Sequence, residues 1–514
     1  MSRAHSSLAV VFLAIGVALL VTPWLRLWDA PFDHGWLGRN GARYSIAARN
    51  LLRLPLEVTH GAPCLQSGAV DAEGTLPYLR HPPLFPLLVA SSFRLFGESE
   101  NAARAVPQWF TLMTAATLAA MAARRNGRFA GAAAFSCFAL LPMSVFYGSH
   151  VDVQSSPTLF FVVLAAFLLE KEADSGLRRF GVFAAVSLLL AMQCDWPGYL
   201  ALLCFPLLRV RQCGWRSMPP WILIGAAAIA GFLWWASTVP FGSLGSLQSA
   251  ARERSSDVLV LLERDDAKWV LRGFVDGLLA LLPWWSLLGG LLCAMLSRPL
   301  LKAGFASIPA LFLVATLHVV LFPAGALIHD YWAYLLAAPL ALLLSQGIAS
   351  LDRRTESWRL VFRGFLCGLF LWLGWQLIWR PQSSWNTRLL REEEVHHRLL
   401  GRALGEITRF EDRILTNAPY NPLDSQRLTD PAFSYYADRK VRGSIGTSTA
   451  LERGLEQVRA THYLKVFHPL WRVEADLEGR LQQFRVEARL RVGTDAPPAG
   501  LLYALGPAGE GSGR

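Results

Sequence analysis

Residues 7–24 read SLAVVFLAIGVALLVTPW, a run without one charged side chain. As an α-helix it would reach about 27 Å, close to the thickness of the hydrocarbon layer of a bilayer. The run is predicted to be a first membrane span. A cleaved signal peptide is the competing reading, but no small-residue cleavage site follows; the chain continues Thr22-Pro23-Trp24-Leu25-Arg26. Further apolar runs lie at about 102–123, 128–148, 155–170, 179–194, 196–210, 219–240, 270–296, 303–324, 331–350 and 360–379. The expected fold class is therefore an α-helical polytopic membrane protein of about eleven transmembrane helices.

Composition agrees. The 514 residues are 53% hydrophobic and 17% charged, and the mean hydropathy is +0.33. Soluble domains carry about a quarter charged residues, so a disordered chain, a coiled coil and an ordinary cytosolic enzyme are excluded. The net charge of +11 would suggest nucleic acid in a soluble protein. Here it is discounted, because cytoplasmic loops of membrane proteins are basic for topological reasons, and no nucleic-acid partner is expected. Nearly all the positive charge is Arg, since lysine occurs only at 171, 268, 302, 440 and 465. Seven cysteines (64, 137, 194, 204, 213, 293, 367) show no CxxC and no zinc spacing, so neither a disulfide framework nor a structural zinc is expected.

The loops orient the spans. Arg124, Arg125 and Arg128; Lys171, Arg178 and Arg179; Arg209, Arg211 and Arg216; Arg298 and Lys302; and Arg353, Arg354 and Arg359 all fall on one side. The opposite short turns, around Asp152, Asp195 and 325–330, carry no Lys or Arg. The positive-inside rule puts the N-terminus in the cytoplasm of a plasma or bacterial inner membrane. The expected domains are a transmembrane domain, 1–379, whose first outer loop (27–101) holds interfacial helices; an extracytoplasmic α/β domain, 380–505, long enough to bury its own core; and a Gly-rich disordered tail, 506–514. No Walker loop and no internal repeat is found.

Polar groups gather at the outer ends of the spans: Asp33 and His34, His150 and Asp152, Asp195, and His329-Asp330-Tyr331. One face carries them all, so they are expected to converge. Membrane proteins keep ionisable groups at depth for a reason. In the first outer loop Arg39, Arg43, Arg49 and Arg53 recur on one side of a helix, with Tyr44, Ile46, Ala47, Leu51 and Leu54 on the other. That pattern suits a helix in the interface with Arg toward head groups or phosphates. Arg80-His81-Pro82-Pro83 then opens an apolar helix, whose positive end and His81 would face an anion.

FDHGWLGRNGARYSIAARNLL (32–52) followed by HPPLFPLLVASSFRLFGESENAARAVP (81–107) resembles the opening of the GT-C membrane glycosyltransferases. The nearest group is the dolichyl-phosphate-mannose-protein mannosyltransferase-like one, with its RgtA/B/C/D-like and aminoarabinose transferase members. The likeness continues through FYGSHVDVQSSPTLFF (146–161), CDWPGYLAL (194–202) and HDYWAYLLAAPLALLLSQG (329–347), covering about residues 1–350. It implies transfer of a sugar from a polyprenyl-phosphate donor to a glycan, lipid or protein acceptor on the outer face, the donor tail lying in lipid. It further implies an acidic general base in the first outer loop, here Asp33, and an inverting mechanism.

The chemistry asks for the same groups: a carboxylate to take the acceptor proton, and cations or donors for the leaving phosphate. The predicted catalytic residues are Asp33 and Asp152. The predicted donor or substrate contacts are His81, Arg80, Arg43, His329, Asp330, Tyr331 and Asp195. The chain departs from the family pattern in three places. Asp33 is followed by His34-Gly35 rather than a second acid, His81 stands where relatives carry Lys, and Gln154 stands where many carry Glu. No cofactor is indicated with certainty, and a metal requirement is left open: the Asp/His groups would accept a divalent cation, but no ligand spacing demands one.

Plainer readings stand beside these. Asp33 would also cap the interfacial helix or pair with Arg39. Asp152 and Asp195 would cap the helices after them. His81 would cap a helix, the Arg stripe would anchor head groups, and His329-Asp330-Tyr331 would belong to an interfacial belt. A flippase for lipid-linked sugars and an inactive scaffold subunit are the alternative functions.

Overall fold

The structure is a computed structural model. It describes residues 2–28, 30–32, 35–69, 77–151, 155–213, 219–239, 307–323, 330–355, 358–378, 397–417, 431–443, 460–466, 475–491 and 498–505, with isolated positions between them. Apart from Gly289 and Gly290, the expected span at 270–296 lies outside the described residues, as does the tail 506–514. The chain forms two compact units. One comprises residues 1–29 and 79–390, and the other comprises 30–78 and 391–514.

The first unit is helical. After α1 (Ser2–Arg26) the chain passes through α2 (Gly35–Arg53) and the one-turn α3 (Leu56–Thr59), both in the second unit. It returns with α4 (Leu84–Phe96), α5 (Glu100–Asn126), α6 (Arg128–Leu140), α7 (Pro142–Tyr147), α8 (Ser155–Ser175), α9 (Arg178–Cys194), α10 (Pro197–Cys213) and α11 (Pro219–Thr238). Then follow α12 (Ser307–Leu321), a 3-10 turn (Asp330–Leu336), α13 (Ala337–Arg354) and α14 (Arg359–Ile378). Among the described residues four helices are long and apolar enough to cross a membrane: Ser7–Arg26, Pro219–Thr238, Trp332–Arg354 and Arg359–Ile378.

Local chemistry explains the boundaries. The sequence Phe96-Gly97-Glu98-Ser99 stops one helix and starts the next. Gly97 takes φ 81°, and the Ser99 hydroxyl accepts from the Ala102 N–H at 3.1 Å. The expected helix at 128–148 is not continuous. Pro142 disfavours helical geometry at Leu141, which is extended (φ −66°, ψ 125°), so α6 ends and α7 begins anew.

Ends are pinned by buried charge. Arg104 donates to the Leu27 carbonyl at 2.9 Å, Arg26 to the Ile378 carbonyl at 3.0 Å, and Arg363 binds Asp352 through two 2.8 Å contacts. Arg125 pairs with Glu170 and Arg353 with Asn126 at the helix ends that carry the basic loops. Meanwhile α1, α11 and α14 turn Val10, Val11, Leu25, Leu223, Trp234, Phe365, Trp372 and Trp375 outward. Large apolar side chains exposed in such number are unfavourable in water and suit lipid.

The second unit joins α2 and α3 to α15 (His397–Ile407), β1 (Arg413–Thr416), α16 (Pro431–Ala437), β2 (Lys440–Arg442), β3 (His462–Val466), α17 (Ala475–Leu481), β4 (Arg485–Arg491) and β5 (Pro498–Ala504). The sheet order is β2-β1-β3-β5-β4. The first three strands are parallel, and β5 pairs antiparallel with both β3 and β4. Neighbouring side chains alternate between two cores. Ile414, Leu464 and Leu502 pack with Leu400, Leu404 and Phe433, while Leu415, Tyr463 and Tyr503 pack with Leu451, Leu477 and Leu481. Burial on both faces is why β1 and β3 carry the short apolar pieces Ile414-Leu415 and Tyr463-Leu464.

The arginine stripe of α2 is partly corrected here. Arg49 does not serve as a head-group anchor, and the exposed Arg53 has a protein carboxylate as a partner. Arg49 is buried, donating to Asp438 at 2.9 Å and to the Tyr435 carbonyl at 3.0 Å, with its guanidinium 4.5 Å from the Tyr435 ring centre. Arg53 reaches the other Asp438 oxygen at 2.5 Å. The reason is electrostatic: a carboxylate brought up from residue 438 is a better partner than solvent for a guanidinium that packing has already buried.

Burial pushes the Asp438 carboxyl up, but Arg49 and Arg53 outweigh it and hold it below its ordinary value of 3.8. Its contribution to stability is therefore complete above about pH 4 and lost as pH falls through the lower folded value. Replacing Asp438 by Ala leaves the Arg49 charge buried without its carboxylate, a loss of about 3 kcal/mol. The expected outcome is a lower apparent melting temperature for the full chain in detergent at pH 7, with a smaller acid-side decline than wild type.

Candidate donor-phosphate site

In the first unit the structure brings together His81 and Asp195, which are 114 positions apart in the chain, through a 2.9 Å contact between Nδ1 and a carboxylate oxygen. Both side chains are close to fully buried, 12% and 10% exposed. A carboxylate only accepts, so the hydrogen lies on Nδ1 of His81, and the ring's orientation is set.

The adjacent residue supplies a second hold. The Trp196 indole N–H donates to the Arg80 carbonyl at 3.0 Å. Two consecutive side chains of the α9–α10 turn thus grip two consecutive residues ahead of α4. The turn itself is shaped by Asp195, whose carboxylate also accepts the Trp196 N–H at 2.8 Å, and by Gly198. A Cβ on Gly198 would lie 2.4 Å from the Ala191 carbonyl carbon and the Met192 nitrogen, so only glycine lets α10 start against the end of α9. Trp196 is further packed edge-on against Phe232 and tilted against Tyr199.

A second imidazole lies behind the carboxylate. His318 of α12 is buried, stacked on Trp332 with ring centres 4.3 Å apart at 25°. Burial raises the Asp195 carboxyl. The hydrogen bond and charge of His81, the charge of His318 and the Trp196 N–H together outweigh burial and hold it below its ordinary value of 3.8. An ionised, oriented carboxylate behind an imidazole is the arrangement that lets the ring act as a cation toward a phosphate.

The predicted residues divide as follows. His81, Arg80 and Asp195 meet in one cluster. Arg43 is half-buried on α2 in the second unit. Asp330 and Tyr331 open the 3-10 turn that continues through Trp332, but their side chains lie outside the described residues, as do Asp33, Asp152 and His329 altogether. Asp195 shapes the helix start as expected, and it pairs with His81, a partner that the sequence did not point to. Sequence reading missed Trp196 and His318. The signal for His318 was available, since it is an imidazole within an apolar run. Among the described residues no group of three His, Cys, Asp or Glu side chains is placed to hold a metal ion.

Residues 80–237, which begin at Arg80 and contain the whole His81–Asp195–Trp196 cluster, match the profile of the dolichyl-phosphate-mannose-protein mannosyltransferase family. Across nearly the whole chain, the fold superposes on ArnT from Cupriavidus metallidurans bound to undecaprenyl phosphate. The TM-score is 0.55 at 12% identity, covering 96% of this chain and 97% of that one. The chain has a GT-C fold. The same GT-C fold is seen in apo ArnT from that organism (TM-score 0.53, 13% identity, 96% and 97% covered). It also matches the apo oligosaccharyltransferase of Archaeoglobus fulgidus (0.54, 12%, 93% of this chain and 72% of that one). No curated protein sequence matches the chain. With its apolar helices, the GT-C fold makes this a multi-pass membrane protein.

Trp196→Phe removes the indole donor and leaves the Arg80 carbonyl without that partner, a loss of about 1 kcal/mol. Asp195→Asn is expected to lower the melting temperature of the full chain at pH 7. It should also reduce the decline below about pH 4, because the ionised carboxylate contributes only above its folded pKa. An unchanged acid limb in Asp195→Asn would contradict the pairing.

Proposed function

We propose that the chain is a glycosyltransferase that moves a sugar from a polyprenyl-phosphate donor to an acceptor hydroxyl on the outer face of a bacterial inner membrane. The single observation that carries this reading is the buried His81–Asp195 pair, lying inside the region that matches a lipid-phosphate-sugar transferase family. Support also comes from the GT-C fold, one example of which, ArnT, was crystallised with undecaprenyl phosphate.

In this reading the acceptor oxygen attacks the anomeric carbon, and the bond from that carbon to the phosphate oxygen breaks with its electron pair going to the phosphate. Asp33 takes the acceptor proton, and Asp152 is the second carboxylate. One displacement inverts the anomeric centre, and no covalent sugar–enzyme bond forms. His81, oriented by Asp195, meets the charge that develops on the leaving phosphate. Arg80, Arg43 and the His329-Asp330-Tyr331 group complete the donor contacts. The donor is a hexosyl or pentosyl polyprenyl phosphate, and its chain lies in lipid against the helical unit. The 380–505 segment is extracytoplasmic and the N-terminus cytoplasmic, following the basic loops.

The test is transfer by the full chain in vesicles supplied with a panel of hexosyl and pentosyl polyprenyl phosphates, read as release of polyprenyl phosphate. Asp33→Asn is expected to reduce turnover by about 10²- to 10⁴-fold. Full turnover by Asp33→Asn would remove Asp33 from the base role, and a wild type that turns over no donor would remove the function.

A further inference from the structure

Asp195 and Trp196 grip the chain ahead of α4, and the same side of α10 carries a third polar group that the chemistry above does not use. Tyr199 stands three residues beyond Trp196 and four beyond Asp195, the spacing that places side chains on one side of a helix. Its backbone N–H donates to the Trp196 carbonyl at 3.0 Å. Its ring lies 5.5 Å from the Trp196 ring at 33°, and Phe232 meets Trp196 edge-on. A long side chain on a helix leans back toward the helix N-terminus. The Tyr199 hydroxyl is therefore carried toward the end of α10 where the Trp196 indole holds the Arg80 carbonyl and the Asp195 carboxylate holds His81.

That hydroxyl is shut off from solvent, and among the described residues it has no hydrogen-bond partner. A serine hydroxyl in that position would swing about one bond to a carbonyl of its own helix. A tyrosine hydroxyl stands at the end of a rigid ring and takes its partner from elsewhere. Phenylalanine would fill the same space without burying an unpaired polar group, so the hydroxyl works against folding until an acceptor arrives. An anionic oxygen is the acceptor that returns most in a dry site. We infer that Tyr199 is a further donor contact, its hydroxyl donating to a phosphate oxygen of the lipid that His81 meets; this deepens the function proposed above and rests on it. Polyprenyl phosphate and the headgroup of an ordinary phospholipid both offer such an oxygen, and the proposal assigns it to the polyprenyl phosphate.

The test is the affinity of the full chain in detergent for undecaprenyl phosphate and for phosphatidylglycerol, with the melting temperature of the ligand-free chain measured alongside. Tyr199→Phe keeps the ring and is expected to weaken undecaprenyl phosphate about tenfold or more, with phosphatidylglycerol unaffected. Its ligand-free melting temperature is expected to equal or exceed that of wild type, because an unpaired hydroxyl has been removed. A tyrosine with a structural role alone would give the reverse, a lower melting temperature with unchanged affinity. Fluorotyrosine at position 199 provides a readout that needs no loss of the hydroxyl: its fluorine resonance is expected to shift with undecaprenyl phosphate and not with undecaprenol. Equal affinity in wild type and Tyr199→Phe, a loss confined to phosphatidylglycerol, or a resonance that undecaprenyl phosphate leaves in place would overturn the Tyr199 contact and leave the glycosyltransferase reading standing. A wild type that binds no undecaprenyl phosphate would fail the donor reading itself.

Discussion

A carboxylate cannot stay ionised inside a protein unless something pairs with it, and Asp195 is the point where that requirement shapes the helical unit. Desolvation works against its charge; His81, the Trp196 N–H and the more distant His318 offset the cost. Meeting it fixes the α9–α10 turn, ties that turn to the segment ahead of α4 and sets the tautomer of His81. Gly198 and Trp196 serve the same end. One lets the helices approach, and the other fastens the neighbouring backbone.

The second unit repeats the device with different residues. Asp438 is drawn between Arg49 and Arg53, 389 and 385 positions away, and the Tyr435 ring lies against the buried guanidinium. In each unit a carboxylate, buried in Asp195 and half-buried in Asp438, joins segments far apart in sequence. Long-range pairs of this kind do little for net stability compared with apolar packing, but they specify one arrangement, because every misregistered alternative leaves a charge unpaired.

Much of the fold was legible because membrane physics writes it in hydropathy. The runs at 7–24, 219–240, 331–350 and 360–379 correspond to the four long apolar helices found among the described residues. The break at Leu141 was hidden because Pro142 sits in an uninterrupted apolar run, where the hydropathy pattern outweighs one backbone constraint. In α2 periodicity correctly gave an amphipathic helix. It could not say that two of its arginines face a carboxylate nearly 400 residues away, since partner choice across that distance leaves no local trace. Asp195 was legible as a polar residue at a span end, and His81 as an imidazole ahead of an apolar helix. Their pairing and the Trp196 hold were not, because the motif HPP and the motif DWPG each read as a helix start when taken alone.

The functional reading concentrates on whether this imidazole meets a lipid phosphate. Affinity of the full chain for undecaprenyl phosphate in detergent, compared between wild type, His81→Ala and His81→Lys, tests that contact without requiring the sugar or the acceptor to be known. One charge-assisted hydrogen bond corresponds to a loss of about 10- to 100-fold in affinity for His81→Ala, with binding kept in His81→Lys, which preserves the cation. Equal affinity in wild type and His81→Ala would contradict the assignment of the donor phosphate to the His81–Asp195 pair.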